Sequence, residues 1–256
     1  MALSTHRSNV YSRNGVVAAS QPLAVSAGIE ILRKGGSAVD AAIAVSAVLC
    51  VVEPGASHLG GDAFVITHKS SDKTNLAFNG SGEAPHAANA TEFPNGIDIH
   101  GYRAATVPGL VSTWFAAHEE FGLLSMEELL APAIDYAEDG FAANNGFVRR
   151  IARHMKEFPH TKVFTTMKIP TDITVGDVVV QRDLAHTLTA IAEKGRSAFY
   201  EGEIARALID SSNSWFNAED LKSHRTRVVP PLTIEYRDVL VHGQPPPSQE
   251  IGRAHV

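Results

Sequence analysis

The sequence predicts an α+β fold in which helices dominate and the sheet is incomplete. Three observations carry that prediction. Apolar residues recur at helical spacing in several segments between Pro22 and Ser212. Two stretches alternate as paired strands, "AFVITH" with "NLAFNG" and then "LTIEYRDVLVHG". Of the 256 residues, 44% are apolar and 20% charged, the balance of an ordinary globular chain rather than a disordered one.

In chain order, "GVVAAS" (Gly15 to Ser20) reads as a short buried strand. Pro22 then suits a first helical turn. "LAVSAGIEILRKGG" puts Leu23, Ala27, Ile31 and Leu32 on one face, with Arg33 and Lys34 in the last turn and Gly35 as its cap. In "SAVDAAIAVSAVLCVVEPG", Ser37 can cap a core helix that Pro54 stops. A hairpin follows, with "KSSDKT" as its polar turn, and then a long surface loop over residues 86–105. "VPGLVSTWFAAHEEFG" reads as a helix anchored by Trp114, Phe115 and Phe121. "SMEELLAPAIDYAEDGF" opens on a capping pattern of Ser125, Glu127 and Glu128. "NNGFVRRIARHMKEFP" is amphipathic with a solvated basic face. "DLAHTLTAIAEKGRSAFYEGEIARALIDSS" reads as two helices joined at Gly195, and a short helix opens at Asn217. The last strands turn at Arg237-Asp238.

Several function classes are excluded on these residues. Net charge is −6 and no Lys/Arg stripe forms, so no nucleic-acid partner is expected. The single cysteine, Cys50, lies in an apolar run and reads as a buried hydrophobe, with no internal disulfide. The N-terminus has no apolar signal region, and the longest apolar run, Ala41 to Val52, is too short to span a bilayer. No membrane association and a cytoplasmic location are the expectation. "RKGGSAVD" and "HLGGDAF" match neither a P-loop nor a dinucleotide fingerprint. The twelve histidines show no zinc spacing, and there is no G-x-S-x-G elbow. These residues alone give no complete catalytic site, no metal ligand set and no cofactor site. The Gly-Gly turns read equally well as tight turns or as ligand contacts.

Five separated blocks carry a resemblance. "VVAASQPLAVSAGIEILRKGGSAVDAAIAVSAVLCVVEPGASHLGGDAF", "ATVPGLVSTWFAAHEEFG", "LLAPAIDYAEDGF", "GRSAFYEGEIARALI" and "PPPSQ" occur in this order. Together they resemble the large subunit of the gamma-glutamyltransferase family from about Asn14 to Gln249. The resemblance implies an N-terminal nucleophile hydrolase with a four-layer αββα core, of which this chain holds a helix-rich part. It implies a precursor that cleaves itself and frees a Thr at the start of a small subunit. That Thr attacks a gamma-glutamyl amide such as glutathione, with its own amine as base, and the acyl group passes to water or an amino acid. No cofactor is implied. The expected partners are a small-molecule amide and the missing small subunit of the same precursor.

Two departures qualify the resemblance. Family members active on glutathione carry an Arg in a D-x-R-E-x-A-P-like segment, where it pairs with the substrate α-carboxylate. Counting back from Ala84-Pro85, that place holds Ser81, and a hydroxyl cannot make the bidentate pair. Asn79, Ser81 and Glu83 are the candidate substrate-binding residues, with Arg103 as a candidate replacement cation. Gamma-glutamyl specificity is thereby opened to an alternative, an acylase acting on another amide such as a cephalosporin side chain. The second departure is the terminus. "IGRAHV" coincides with one reading frame of a common short-read sequencing adapter. Residues 1–249 are therefore read as one large-subunit fragment and 250–256 as foreign sequence. No residue of this chain is assigned as catalytic, and the chain alone is expected to be inactive. The remaining alternative is a non-catalytic partner subunit. Poorly covered apolar surface is expected over Ala41–Val52 and the "AFVITH" hairpin.

Overall fold

The computed structural model describes residues 9–97, 100–159 and 163–248. Four helices of its first half pack together as a layer. Helix α1 (Pro22–Arg33) starts where the Gln21 side chain accepts from the Leu23 and Ala24 N–H groups. It stops in a Schellman arrangement: Gly35 sits at φ +92°, its N–H bonds to the Leu32 carbonyl, and that of Gly36 bonds to Ile31. Helix α2 (Ala38–Val52) opens on a Ser37–Asp40 capping box. Asp40 also accepts from the Leu123 N–H at 2.9 Å, which ties this helix start to the segment after α3 (Leu110–Phe121). Helix α4 (Met126–Glu138) carries the expected box between Ser125 and Glu128. α2 packs on α1, α3 and α4. Trp114 of α3 is buried and donates its indole N–H to Ser46 Oγ at 3.0 Å, whereas Phe115 and Phe121 are only half-buried against the core.

Two expectations change here. The Ala41–Val52 segment is not poorly covered. Ile43, Ala47, Val48, Val51 and Val52 are all within 3% of full burial, because α1 and α4 already enclose the helix. "GVVAAS" is not a strand, and Val16 is 62% exposed. Val17 instead lies against α1, where a Cβ on Gly28 would fall 2.8 Å from it. Apolar composition suggested burial in a sheet, but among the described residues no strand pairs with it.

The principal sheet has three antiparallel strands, β1 (Ala63–Lys69), β2 (Thr74–Gly80) and β5 (Arg227–Val229), in the order β1-β2-β5. β1 (Ala63–Lys69) pairs with β2 (Thr74–Gly80) in the register Phe64↔Asn79 and Val65↔Phe78. Val65 and Phe78 share the face covered by α3, and Phe78 meets Phe121 edge-on at 6.2 Å. On the other face Phe64 and Ile66 remain 43% and 42% exposed, in line with the expectation for the hairpin.

The chain next forms β3 (Phe141–Ala142), α5 (Asn145–Glu157), α6 (Val163–Thr166) and β4 (Val178–Val179), with β3 and β4 paired. Such two-residue strands are too short to show a period in sequence. The stretch expected to form two helices forms three: α7 (Arg182–Lys194), α8 (Arg196–Tyr200) and α9 (Glu203–Ser211). Gly195 separates the first two as expected. The second break follows Tyr200, a fully buried residue held beneath α3: its hydroxyl donates to the Pro108 carbonyl at 2.7 Å and accepts from the Ser112 N–H at 3.0 Å. Helix α10 (Ala218–Ser223) begins at an Asn217–Asp220 box.

β5 (Arg227–Val229) was not anticipated, since three residues before Pro230 and Pro231 carry no alternation. β6 (Leu232–Tyr236) and β7 (Val239–Gly243) form the final hairpin. Arg237 and Asp238 both adopt positive φ, the left-handed pair a two-residue hairpin turn requires. Tyr236, Val239 and Leu240 are more than half exposed on it.

One close approach positions everything around the end of β2. Gly80 and Gly109 cross backbone to backbone. A Cβ on Gly109 would lie 1.7 Å from the Gly80 carbonyl oxygen, and one on Gly80 would lie 1.8 Å from Thr113 Oγ1 and 2.9 Å from the Ala63 carbonyl oxygen. The Gly61 carbonyl completes the junction by accepting from the Gly109 and Leu110 N–H groups at 2.9 and 2.8 Å. Gly109→Ala is therefore expected to destabilise the fold by at least about 2 kcal/mol, the scale of overpacking against unyielding backbone. Gly243→Ala, with nothing within 4 Å of the new methyl, should stay within about 0.5 kcal/mol of the parent. Denaturant titrations of the two variants side by side check the contrast.

Candidate active-site turn

Beyond Gly80 the chain turns out of the sheet in a short irregular segment, Ser81-Gly82-Glu83, packed against residues 106–109. Gly82 is compelled at its position: a Cβ there would lie 1.9 Å from the Val107 carbonyl oxygen. The turn is tied down by backbone donors. The Ser81 N–H bonds to Asn79 Oδ1 at 3.1 Å, that of Gly82 to Asp62 Oδ1 at 3.0 Å, and the Glu83 carbonyl accepts from the Val107 N–H at 3.0 Å.

The three candidate residues thus differ in what they can do. Asn79 is 3% exposed and is committed within the protein, since its Nδ2 donates to the Pro246 carbonyl at 3.1 Å while its oxygen holds Ser81. Its side chain positions the turn. Ser81 is half-buried and Glu83 exposed. Among the described residues neither the Ser81 hydroxyl nor the Glu83 carboxylate has a hydrogen-bond or ion-pair partner. The turn therefore presents one hydroxyl and one carboxylate on a rigid backbone. Arg103 stacks on the Phe93 ring at 4.7 Å, in the loop that Trp215 holds by donating to the Ala105 carbonyl at 3.0 Å.

Asp62, beneath the turn, has its pKa raised by desolvation, with the Gly82 N–H and His58 opposing the shift. Behind Gly109 lies His224, 5% exposed, with both ring nitrogens buried and unpartnered among the described residues. Burial first, and then the Arg196 charge, lower its pKa, so it is held neutral. Arg196 lies over the Tyr200 ring at 4.3 Å and also donates to the His224 carbonyl. Sequence pattern does not mark His224, because "KSHRT" has no spacing that distinguishes a buried imidazole from a surface one.

The sequence profile of the gamma-glutamyltranspeptidase family matches residues 24–253. The chain belongs to the gamma-glutamyltranspeptidase family. It is 37% identical over 250 residues to the glutathione hydrolase-like YwrD proenzyme of Bacillus subtilis, covering 94% of this chain and 47% of the relative. The chain thus spans about half the length of the curated relatives it matches. The crystal structure of Helicobacter pylori gamma-glutamyltranspeptidase superposes with a TM-score of 0.88 at 29% identity, over 95% of this chain and 73% of that one. The cephalosporin acylase of Bacillus halodurans superposes with a TM-score of 0.78 at 32% identity, over 93% of this chain and 48% of that one. The fold is accordingly the helix-rich large-subunit part of the N-terminal nucleophile hydrolase architecture of gamma-glutamyltranspeptidases. Residues 249–256, including the segment read as foreign, lie outside the described residues. Among the described residues no helix is long and apolar enough to cross a membrane.

The loop leaving the turn is anchored by His86. Its backbone N–H and its ring Nδ1 both bond to Asp220 Oδ1. That hydrogen bond and the Asp220 charge, aided by Glu219 and Glu83, raise the His86 pKa. Asp220 is pushed up by burial, but the Asn217 and His86 donors outweigh this and leave its pKa lowered. A raised histidine pKa contributes stability below the unfolded value of about 6.5 and loses it as pH rises through the folded value. Wild type should therefore melt above His86→Ala at pH 5.5, and the gap should shrink steadily towards pH 8.5 in paired thermal melts.

Proposed function

We propose that this chain is the large-subunit portion of a self-processing amide hydrolase that cleaves and transfers gamma-glutamyl groups of glutathione-type amides. The nucleophile is the amino-terminal Thr of a small subunit, supplied by the part of the precursor that the relatives carry beyond the matched half. The observation that carries the reading is the glycine-bound turn at the end of β2. It holds an unpaired hydroxyl, Ser81, and an unpaired carboxylate, Glu83, on backbone fixed by Asn79, Asp62 and Val107. We assign substrate contact to Ser81 and Glu83, the carboxylate facing the substrate ammonium, with Asn79 holding the turn that bears them. The open face of the hairpin at Phe64 and Ile66 is where the small subunit packs.

A second reading is favoured by two observations. Ser81 stands where an arginine would grip an α-carboxylate, and the fold superposes closely on a cephalosporin acylase. On that reading the acyl group lacks the α-amino-acid end. The test uses the full-length protein with a gamma-glutamyl anilide and the matching anilide without the α-carboxylate. Ser81→Arg is expected to raise kcat/KM for the gamma-glutamyl substrate by about tenfold to a hundredfold, the worth of a charge-assisted bidentate pair, and to leave the analogue unchanged. Wild-type preference for the analogue selects the acylase reading. Cleavage of neither leaves a non-catalytic partner subunit.

A further inference from the structure

We propose that His224 is an acid-sensitive wedge behind the Gly80–Gly109 crossing, and that a proton taken up by its ring loosens the crossing and the Ser81–Glu83 segment with it. This holds whichever amide the site cleaves. His224 lies between α10 and β5. Its Nε2 sits 3.4 Å from where a Cβ on Gly109 would fall. The Tyr200 ring of α8 lies 6.0 Å away between centroids, and the Tyr200 hydroxyl holds Pro108 and Ser112 to either side of Gly109 along the chain. The imidazole thus packs against both α8 and the residue that starts α3. The residue is 5% exposed, and among the described residues neither ring nitrogen has a hydrogen-bond partner.

These surroundings suit a neutral ring and not a charged one. The His224 carbonyl accepts from Arg196 and, at 2.8 Å, from Arg225, which fixes two guanidinium groups beside the residue. Arg196 of α8, Arg225, and Arg227 of β5 all oppose a positive imidazole, and Glu83 is the carboxylate that favours one. Tyr200 adds no charge, because burial raises its pKa. A protonated ring would also carry two N–H donors, and neither nitrogen has an acceptor in reach among the described residues. Burial first, and then the Arg196 charge, hold the ring below the ordinary value of about 6.5. A histidine depressed in the fold stabilises it above the unfolded value, and that stability is lost as pH falls from there through the folded value. The sign is opposite to that of His86. The charged ring gains water only if the start of α3 parts from α8 and β5. The bonds then given up are those of the crossing, from the Gly109 and Leu110 N–H groups to Gly61 and from the Val107 N–H to Glu83.

The test is amide hydrogen exchange of the full-length protein from pH 7.5 to pH 5.0, read as protection factors so that the intrinsic pH dependence of exchange is removed. Val107, Gly109 and Leu110 are expected to lose protection by up to about tenfold per pH unit below about 6.5, the linkage of one proton. The amides of α2 should keep theirs. His224→Phe and His224→Gln remove the titrating ring, and each should flatten the loss at 107–110. Comparing each variant with the wild type at the same pH cancels the contribution of His86. Equal pH dependence in the wild type and in either variant would overturn the proposal. So would constant protection at 107–110 in the wild type, or a loss that α2 shares equally. NMR of the His224 ring in the wild type follows the proton without any substitution: a ring that titrates while 107–110 stay protected would overturn the proposal as well.

Discussion

The contact between Gly80 and Gly109 is the constraint on which the rest of this structure depends. With no Cβ on either residue, the end of β2 and the start of α3 can pass at backbone distance. The same approach lets the Gly61 carbonyl reach two N–H groups at the start of α3, satisfying donors that a helix start otherwise leaves free. The helical layer is thereby locked to the sheet, and residues 81–83 are forced out as a turn over Asp62. Tyr200 reinforces the junction from behind through Pro108 and Ser112, and Ser112 in turn accepts from the Thr226 N–H next to β5.

That geometry explains why three neighbouring candidate residues have different roles. The Asn79 side chain, on the face away from α3, is consumed by the Pro246 carbonyl and the Ser81 N–H. Side chains on the outer side of the turn keep their polar groups unpaired, as Ser81 and Glu83 do. A site built this way is rigid before anything binds, so little ordering cost attends the capture of a ligand. The residue at 81 can vary without disturbing the scaffold, because the turn is held by main-chain bonds and glycines and not by the side chain at 81.

The apolar surface is divided unevenly between the two layers. The helices bury most of α2, with Ala38 and Ala42 left exposed. β1 and the β6–β7 hairpin, in contrast, leave Phe64, Ile66, Tyr236, Val239 and Leu240 open to solvent. Of these, the face of Phe64 and Ile66 is the one assigned above to the proposed small subunit, and the relatives of this chain are about twice its length.

Local interactions were legible in the sequence. Ser37, Ser125 and Asn217 start helices because a capping side chain needs only the next three residues, and Gly35 ends one for the same reason. The 63–80 hairpin and the left-handed turn at Arg237-Asp238 were likewise set by short-range pattern. The blocks that identify the family were also written there. Tertiary structure alone decided what depends on distant partners. It left "GVVAAS" unpaired, added β5 to the sheet, broke the 182–211 stretch after Tyr200, enclosed α2 and buried His224. It also committed Asn79 to Pro246, 167 residues away. Periodicity reports how a segment faces its surroundings over a few residues. Which surroundings arrive is set by packing across the whole chain.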